Sequence, residues 1–460
     1  MNRALVIGLD GMPLSLTRRL AADGVLPCLG GLLTAGSTAE LVAPVPEVSS
    51  TSWATFLTGV NPGRHGIYGF TDLRPGSYEV YFPNLVNLRA APLWDHAEAA
   101  GLTTLSLNVP GTYPAPPING GIISGFVAPL VERAVQPPRL AAAMRRLGYQ
   151  IEAEVGDVAA DPGAFVGRLR QALAARVRLY GHLLATEPWD LAVAVVTETD
   201  RLQHFLWRQL TDSRDELNGP IIDFYREVDD AVAALLDCCA GASTDVYIIS
   251  DHGFGPADCQ FHVNAWLRAQ GWLAPLGAAP ELAAIGGSTQ VFALDPGRFY
   301  INSGERFASG RATAAQASEL AAEIAEALRA LRWRDGAVGP EIDGPRLMSE
   351  VCLRDDIYHG PVTDQAPDVV AVPAAGVQLR GAWRSAGLTG ADVRTGTHTR
   401  GDALAWASRA GLVPAGQVDM ADIAPTVLGG LGAAQAGTGR FDGRDLTRAA
   451  LVGSTPDRID

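Results

Sequence analysis

The chain has 460 residues, a formal net charge of −14, and 47% hydrophobic and 19% charged residues. This length exceeds the usual single-domain size, so we expect one large domain with an inserted lobe. The composition is typical of a soluble globular enzyme. The acidic balance argues against nucleic acid polymers and anionic membranes as partners, whereas a small phosphorylated substrate stays compatible with it.

The N-terminal segment and the cysteines predict a cytoplasmic protein. Met1-Asn2-Arg3 leads into an apolar run that is too short for a signal peptide. No stretch of about 18 apolar residues is present that would span a membrane. The five cysteines form neither a spaced framework nor a CxxC pair, which favours reduced thiols. The sequence does not indicate an oligomeric state.

Apolar runs that alternate with helical patterns predict the fold class. The first half of the chain opens with a strand at 5–9. A helical pattern follows that Gly24 and Pro27 interrupt, with Leu16, Leu20, Leu29, Leu32 and Leu33. The residues between Phe165 and Leu184 follow a helical spacing. Parallel strands are predicted at 5–9, 103–107, 191–196, 246–249 and 369–372. This alternation predicts an α/β layered fold with a mostly parallel central sheet flanked by helices.

The stretch 266–395 differs from the rest of the chain. It contains Gly- and Pro-rich links and an amphipathic helix around Leu320, Ile324 and Leu328. It also separates two candidate functional motifs. We therefore predict a catalytic core formed by 1–265 and 396–460, with 266–395 as an inserted cap lobe.

Acidic side chains follow three of the predicted strands. In α/β sheets ligands bind at the carboxyl ends of the strands. Asp10 and Asp251 occupy that position, and Asp200 lies just beyond it. Asp200 and His204 are four residues apart, so on a helix they would share one face and could share a metal ion.

Two more histidines extend this set. His252 is adjacent to Asp251 and precedes a glycine that permits a tight turn, an arrangement that suits a ligand pair. His398 lies in a predicted loop. Taken alone, each residue could equally be a helix cap, a turn residue or a solvated side chain. Together, six carboxylate or imidazole ligands are sufficient for two metal ions.

A run of hydroxyl side chains at 49–52 offers a nucleophile. It precedes a predicted helix at 54–58, so one hydroxyl is expected to cap that helix. A hydroxyl bound to a metal ion has a lowered pKa and can attack phosphorus, and a helix N-terminus would help to hold a phosphoryl anion. The residues alone do not decide which hydroxyl acts.

The order of these motifs resembles the type I phosphodiesterase/nucleotide pyrophosphatase branch of the alkaline phosphatase superfamily, from end to end. The matching stretches are GLDGMP at 8–13, PEVSSTSWATFLTGVNPGRHGIYGF at 46–70, PLWDHAEAAG at 92–101, NVPGTYP at 108–114, ETDRLQHFLW at 198–207, SDHGFGP at 250–256, RDDIYHGP at 354–361, GTHTRGD at 396–402 and ADIAPTVLGGL at 421–431. The resemblance implies an alkaline-phosphatase-like layered fold. The sulfatase signatures CxPxR and CxSxR are absent, and GLDG does not fit the GxGxxG of a dinucleotide oxidoreductase.

The resemblance also implies roles for single residues. The nucleophile of the family lies nine residues before the threonine of a Thr-Gly pair, which selects Ser49, counted back from Thr58. Phe70 stands where the animal nucleotide pyrophosphatases have a phosphate-holding asparagine. Independently of the resemblance, Phe70 and Trp53 are aromatic residues that are expected to wall the substrate pocket, with packing in the core as the alternative for each. The implied ligands are, for one metal ion, Asp200, His204 and His398 and, for the other, Asp10, Asp251, His252 and the Ser49 oxygen.

These inferences predict a hydrolase with two divalent metal ions. The resemblance favours zinc, and manganese or iron is compatible with the mixed imidazole and carboxylate ligands. The expected reaction is hydrolysis of a phosphodiester or pyrophosphate bond in a small soluble substrate, such as a nucleotide, through a covalent phosphoserine. Two alternatives are a phosphomonoesterase or phosphonate hydrolase on the same site, and a non-catalytic protein that binds a phosphometabolite.

Overall fold

The structure is a computed structural model. It describes residues 2–239, 243–275, 282–409, 416–434 and 439–447. In these ranges the helices are α1 Leu14–Ala22, α2 Pro27–Thr34, α3 Ser49–Thr58, α4 Pro62–His65, α5 Leu93–Ala99, α6 Leu140–Leu147, α7 Pro162–Thr186, α8 Glu198–Thr211, α9 Asn218–Asp237, α10 Val263–Ala269, α11 Ala314–Ala330, α12 Arg354–Ile357 and α13 Met420–Gly430. The strands are β1 Arg3–Leu9, β2 Ser37–Val42, β3 Asp72–Leu73, β4 Val80–Tyr81, β5 Thr104–Val109, β6 Gly120–Ser124, β7 Val135–Gln136, β8 Leu191–Val196, β9 Thr244–Ile249, β10 Gly253–His262, β11 Val291–Leu294, β12 Arg298–Ile301, β13 Arg332–Arg334, β14 Ala337–Gly339, β15 Met348–Leu353, β16 Val369–Pro373, β17 Gly376–Arg380, β18 Thr389–Gly390, β19 Gly396–Thr399, β20 Ala403–Ala407 and β21 Gln417–Asp419.

A nine-stranded sheet forms the centre of the molecule, in the order β21-β2-β20-β9-β1-β8-β5-β6-β7. Its middle strands β9, β1, β8, β5 and β6 run parallel to one another. Antiparallel pairs occur towards the edges, between β2 and β20, between β20 and β9, and between β6 and β7. The predicted mostly parallel sheet is therefore confirmed.

Helices cover both faces of this sheet, because its central strands are apolar on both sides. In β1, Leu5 and Ile7 face one core cluster, which includes residues of α1, α7, α8 and α9. The alternate residues Ala4 and Val6 face a second cluster with residues of α3, α5 and α13. Since neighbouring side chains of a strand point to opposite faces, an uninterrupted apolar run is what a buried parallel strand requires.

Much of the segment after β10 forms a separate layer with its own apolar core. Four strands build an antiparallel sheet in the order β11-β12-β16-β15, and α11 packs beside it. The prediction that 369–372 forms a parallel strand is wrong, because β16 pairs antiparallel with both β12 and β15. A short apolar run indicates burial on both faces but carries no information about the direction of its partners. The division at 266 and 395 stays a prediction.

No helix in the described ranges has both the length and the apolar character that a membrane crossing requires. The five cysteines are free thiols, as the sequence predicts.

His65 holds helix α3 in place from its opposite end. Its Nδ1 accepts a hydrogen bond from the Ile67 amide at 3.2 Å, so the ring proton is on Nε2, 3.0 Å from Thr55 Oγ1. The Thr55 hydroxyl itself donates to the Thr51 carbonyl. A second ring proton, on Nδ1, would point at the N–H of Ile67. Complete burial of the imidazole lowers the pKa of His65 to about 3.

This buried neutral imidazole predicts a pH dependence of stability. The unfolded chain binds a proton at His65 below about pH 6.5, whereas the folded chain does not until about pH 3. The contribution of neutral His65 to the free energy of unfolding is therefore complete above pH 6.5. It decreases as the pH falls and is smaller by about 2 kcal/mol at pH 5. Urea unfolding of wild type and His65→Gln at pH 7.5 and 5.0 measures it. An equal pH effect in both proteins would contradict this assignment.

Candidate metal centre and active site

Three adjacent parallel strands bring the predicted ligands to one edge of the sheet. β9, β1 and β8 lie side by side. Asp10 follows β1, Asp251 follows β9, and α8, which carries Asp200, begins two residues after β8. Because the carboxyl ends of parallel strands share one edge, these carboxylates converge although they are far apart in sequence.

A glycine at the end of β1 permits the close approach. Gly11 has φ +66°, and a Cβ there would meet the Asp200 Cα at 3.3 Å. Its amide donates to Asp251 Oδ1 at 3.0 Å. The Thr199 hydroxyl donates to the Asp10 carbonyl at 2.6 Å, which attaches the start of α8 to the same turn.

One group of ligand atoms comes from helix α8 and strand β19. His398 Nε2 lies 3.1 Å from Asp200 Oδ1 and 3.0 Å from His204 Nε2. His204 Nε2 lies 3.5 Å from Asp200 Oδ1. The antiparallel pairing of β19 with β10 places His398 opposite Phe254, beside the loop that carries His252.

A second group lies deeper, at the strand ends. His252 Nε2 is 3.3 Å from Asp251 Oδ2 and 3.8 Å from Asp10 Oδ1. His252 Nε2 is also 3.9 Å from Asp200 Oδ1, so it stands between the two groups. Two groups of three residues each offer ligand atoms that lie within 4.8 Å of one another. One group is Asp200, His252 and His398, and the other is Asp10, Asp251 and His252.

The three histidines are oriented for metal binding by backbone carbonyls. Nδ1 of His204 lies 3.3 Å from the Gly396 carbonyl, Nδ1 of His252 lies 3.0 Å from the Gly253 carbonyl, and Nδ1 of His398 lies 2.9 Å from that of Glu47. A carbonyl can only accept, so each neutral ring carries its proton on Nδ1 and a lone pair on Nε2. This arrangement is typical of metal-binding histidines. The Nε2 lone pairs of His204 and His398 face each other at 3.0 Å, and a cation shared between them would relieve their repulsion.

The carboxylates of this cluster also lack compensating positive charge. Asp10 Oδ1 and Asp251 Oδ2 are buried and find no hydrogen-bond partner among the described residues. Burial, with the charges of Asp251 and Asp200, raises the pKa of Asp10, and burial lowers the pKa of His204 to about 4. Unpaired buried charges are costly unless they are compensated. Three carboxylates and three imidazole lone pairs fit two divalent cations.

Ser49 faces this cluster from helix α3. The helix begins at Ser49 itself, so the prediction that it begins at Ala54 is wrong, since serine and threonine favour helices only weakly. The expected hydroxyl cap is also absent: the residue before the helix is Val48, and no side chain caps the first turn. Ser49 Oγ lies 3.1 Å from His252 Nε2. The free amides of the first turn and the helix dipole favour an anion at this position.

Of the two predicted pocket aromatics, only Phe70 lines the cavity. Trp53 is fully buried, and its indole Nε1 donates to Asp10 Oδ2 at 3.3 Å. The expectation that Trp53 walls the substrate pocket is therefore wrong, because its position one helical turn after Ser49 directs it into the core beneath the ligands. Its contact indicates that it holds the Asp10 carboxylate in place.

A cavity of about 440 Å³ opens over Ser49 and the candidate ligands. Its wall contains residues that the sequence did not single out, namely Glu47, Phe126, Arg201, Asp295, Gln378, Arg380 and Arg394. Arg201 follows Asp200 directly and could have been identified by that position. Glu47 and Phe126 come from loops beside α3 and β6, and the others come from the segment after β10, so their place at the site follows only from the tertiary fold.

Two solved structures resemble the fold of this chain. A phosphonoacetate hydrolase from Sinorhizobium meliloti 1021, solved in complex with phosphonoacetate, superposes with a TM-score of 0.59 at 16% identity, covering 94% of this chain and 96% of that chain. Murine ectonucleotide pyrophosphatase / phosphodiesterase 5 superposes with a TM-score of 0.56 at 14% identity, covering 96% and 98%. An inactive threonine-to-alanine variant of the murine protein was solved in complex with AMP. These likenesses confirm the alkaline-phosphatase-like fold.

Among curated proteins, none matches the sequence significantly. The family model described as type I phosphodiesterase / nucleotide pyrophosphatase matches residues 4–400. That range includes Ser49 and all six carboxylate and imidazole ligands. The chain therefore belongs to the type I phosphodiesterase / nucleotide pyrophosphatase family and is a phosphoric ester hydrolase.

Proposed function

We propose that the protein hydrolyses phosphodiester or pyrophosphate bonds of a small substrate, with Ser49 as nucleophile and two divalent metal ions as cofactors. The observation that carries the proposal is the position of Ser49 Oγ, at the N-terminus of α3 and 3.1 Å from His252 Nε2, in a cluster of unpaired ligand atoms. Asp200, His204 and His398 would hold one ion. Asp10, Asp251, His252 and the Ser49 oxygen would hold the other. Zinc fits these ligands, and manganese or iron is compatible with them.

The reaction would proceed in two displacements at phosphorus. Ser49 Oγ loses its proton to solvent and attacks phosphorus, the bond from phosphorus to the leaving oxygen breaks, and that oxygen takes up a proton from solvent and departs as the alcohol. A covalent phosphoserine forms. Water then attacks the phosphoserine from the opposite side, and the Ser49 hydroxyl is restored. The amides at the start of α3 donate to the phosphoryl oxygens throughout. When bound, two divalent cations would lower the pKa of the serine hydroxyl and neutralise the charge that develops on the attacking and leaving oxygens.

A panel of aryl esters tests the type of bond that is cleaved. We expect an aryl phosphodiester to be hydrolysed with a higher kcat/KM than the corresponding monoester or phosphonate. A higher kcat/KM for the monoester or the phosphonate would instead indicate the alternative function, a phosphomonoesterase or phosphonate hydrolase. Hydrolysis of none of the three by metal-loaded protein would contradict the proposed function.

Removal of the metal ions should abolish activity. We expect dialysis against a chelator to lower turnover to background and addition of Zn²⁺ or Mn²⁺ to restore it, because the ligand carboxylates lose their compensating charge without cations. Metal analysis should find two equivalents per chain in wild type and fewer in His204→Ala. As a control, His359→Ala changes an exposed imidazole outside the cavity wall and should leave the metal content unchanged. Full turnover in metal-free protein would refute metal dependence.

A further inference from the structure

The wall of the cavity that contains Ser49 indicates what the substrate carries beside its phosphoryl group. This inference rests on the proposed function and concerns the same site. Aliphatic, proline and aromatic side chains form a large part of that wall. They are Val48, Val155, Phe205, Pro296, Pro373 and Leu379, together with Phe70 and Phe126.

The apolar surface continues out of the cavity as a rim of four residues, Phe70, Phe82, Phe126 and Val127, here called the apolar lip. The rings of Phe70 and Phe126 stack with centroids 5.4 Å apart, and Phe82 contacts Phe70 edge-on at 5.8 Å. Phe70 is 39% exposed, Phe82 56% and Val127 40%. Large apolar side chains gathered on a surface commonly mark a binding site, and these adjoin the mouth of the cavity.

The basic residues of the wall do not offer a site for a second anion. Arg380 Nη1 lies 3.5 Å from Asp295 Oδ2, and Asp295 lines the same cavity. Arg394 is paired with Asp392 at 2.8 Å. Each guanidinium is already compensated by a neighbouring carboxylate, so an anionic substituent would have to displace that partner.

Arg201 is compensated in the same way. Its Nη2 lies 3.0 Å from Glu152 Oε2, and its guanidinium lies over the Phe126 ring, 5.6 Å from the centroid. The three arginines of the wall therefore leave little uncompensated positive charge for a second anionic group on the substrate.

We infer that the substrate is a phosphodiester with an uncharged apolar substituent, aromatic or aliphatic, which packs on the apolar lip, and that a second anionic group is selected against. The apolar wall removes the substituent from water, and the lip accommodates a group that extends beyond the cavity. This distinguishes the substrate from one that carries a chain of phosphates.

Four diesters of p-nitrophenol with the same leaving group test the inference. Their second substituents are methyl, phenyl, hexyl and 2-carboxyethyl. For the wild type we expect kcat/KM for the phenyl or the hexyl diester to exceed that for the methyl diester by about tenfold or more, which is the discrimination that an apolar pocket provides. The carboxyethyl diester should be the poorest of the four. The comparison of kcat/KM for the phenyl and the hexyl diester shows whether an aromatic or an aliphatic substituent is preferred.

Substitution of the lip identifies the contact. Phe70→Ala should lower the ratio of kcat/KM for the preferred apolar diester over the methyl diester about tenfold, mainly through KM, and Phe70→Leu should retain most of it. Val86→Ala removes an exposed apolar side chain outside the cavity and should leave the ratio unchanged. Turnover of all four diesters without preference, or with preference for the carboxyethyl diester, would overturn the inference while the proposed function stands. Turnover of none would overturn both.

Discussion

Replacement of Ser49 by alanine should lower kcat on an aryl phosphodiester by about 10⁴-fold or more, the scale seen when a nucleophile is removed. The variant loses the oxygen that forms the bond to phosphorus. It retains all six carboxylate and imidazole ligands, so its metal content should match that of the wild type. Steady-state kinetics and metal analysis on the same preparation measure both quantities.

Ser50 provides a matched control for this substitution. It is in the same helical turn, and its buried Oγ has no hydrogen-bond partner in the described part of the chain. Ser50→Ala should therefore retain most of the turnover and the full metal content. Turnover retained in Ser49→Ala, or an equal loss in both variants, would refute the role of Ser49 as nucleophile.

Replacement of Arg176 by methionine should destabilise the fold by about 3–5 kcal/mol, the cost of breaking a buried ion pair. Arg176 on α7 pairs with Glu198 at 2.7 Å, and both side chains are almost completely inaccessible. The guanidinium also donates to the Tyr149 hydroxyl and to the Ile151 carbonyl. Without it Glu198 is a buried charge with no counterion, two residues before the ligand Asp200. Urea unfolding measures the loss.

Two further variants show whether the cost comes from the unpaired carboxylate. Arg170→Met on the same helix breaks a pair whose side chains are 41% and 36% exposed, so it should cost at most about 1 kcal/mol. The double variant with Arg176→Met and Glu198→Gln should be more stable than Arg176→Met alone, since no buried charge is left over. Equal losses in Arg170→Met and Arg176→Met would contradict this explanation.

The parts of the site that lie at the ends of core strands could be predicted from the sequence. Asp10 and Asp251 end apolar runs, and parallel strands bring such positions together whatever their separation in sequence. Asp200 and His204 are related by helical spacing, which is a local property. His398 has no local signal of this kind, and the resemblance to a family was needed to include it.

The parts that depend on packing between distant elements could not be predicted. The orientation of Trp53 depends on where α3 begins, and a run of serines and threonines conceals that point because their helix propensity is low. The pairing of β16 depends on its neighbours in the cap and not on its own residues. Phe126, from the loop after β6, and Arg380 and Arg394, from the segment after β10, meet in the cavity wall only through the tertiary fold.

Diffraction from crystals loaded with Zn²⁺ and orthovanadate, recorded on both sides of the zinc absorption edge, would locate the metal ions and the phosphoryl site together. We expect two anomalous peaks about 3.5–4 Å apart, one beside Asp200, His204 and His398 and the other beside Asp10, Asp251 and His252, with vanadium bonded to Ser49 Oγ. A single peak, peaks away from these side chains, or vanadium bound elsewhere would contradict a two-metal centre that serves Ser49.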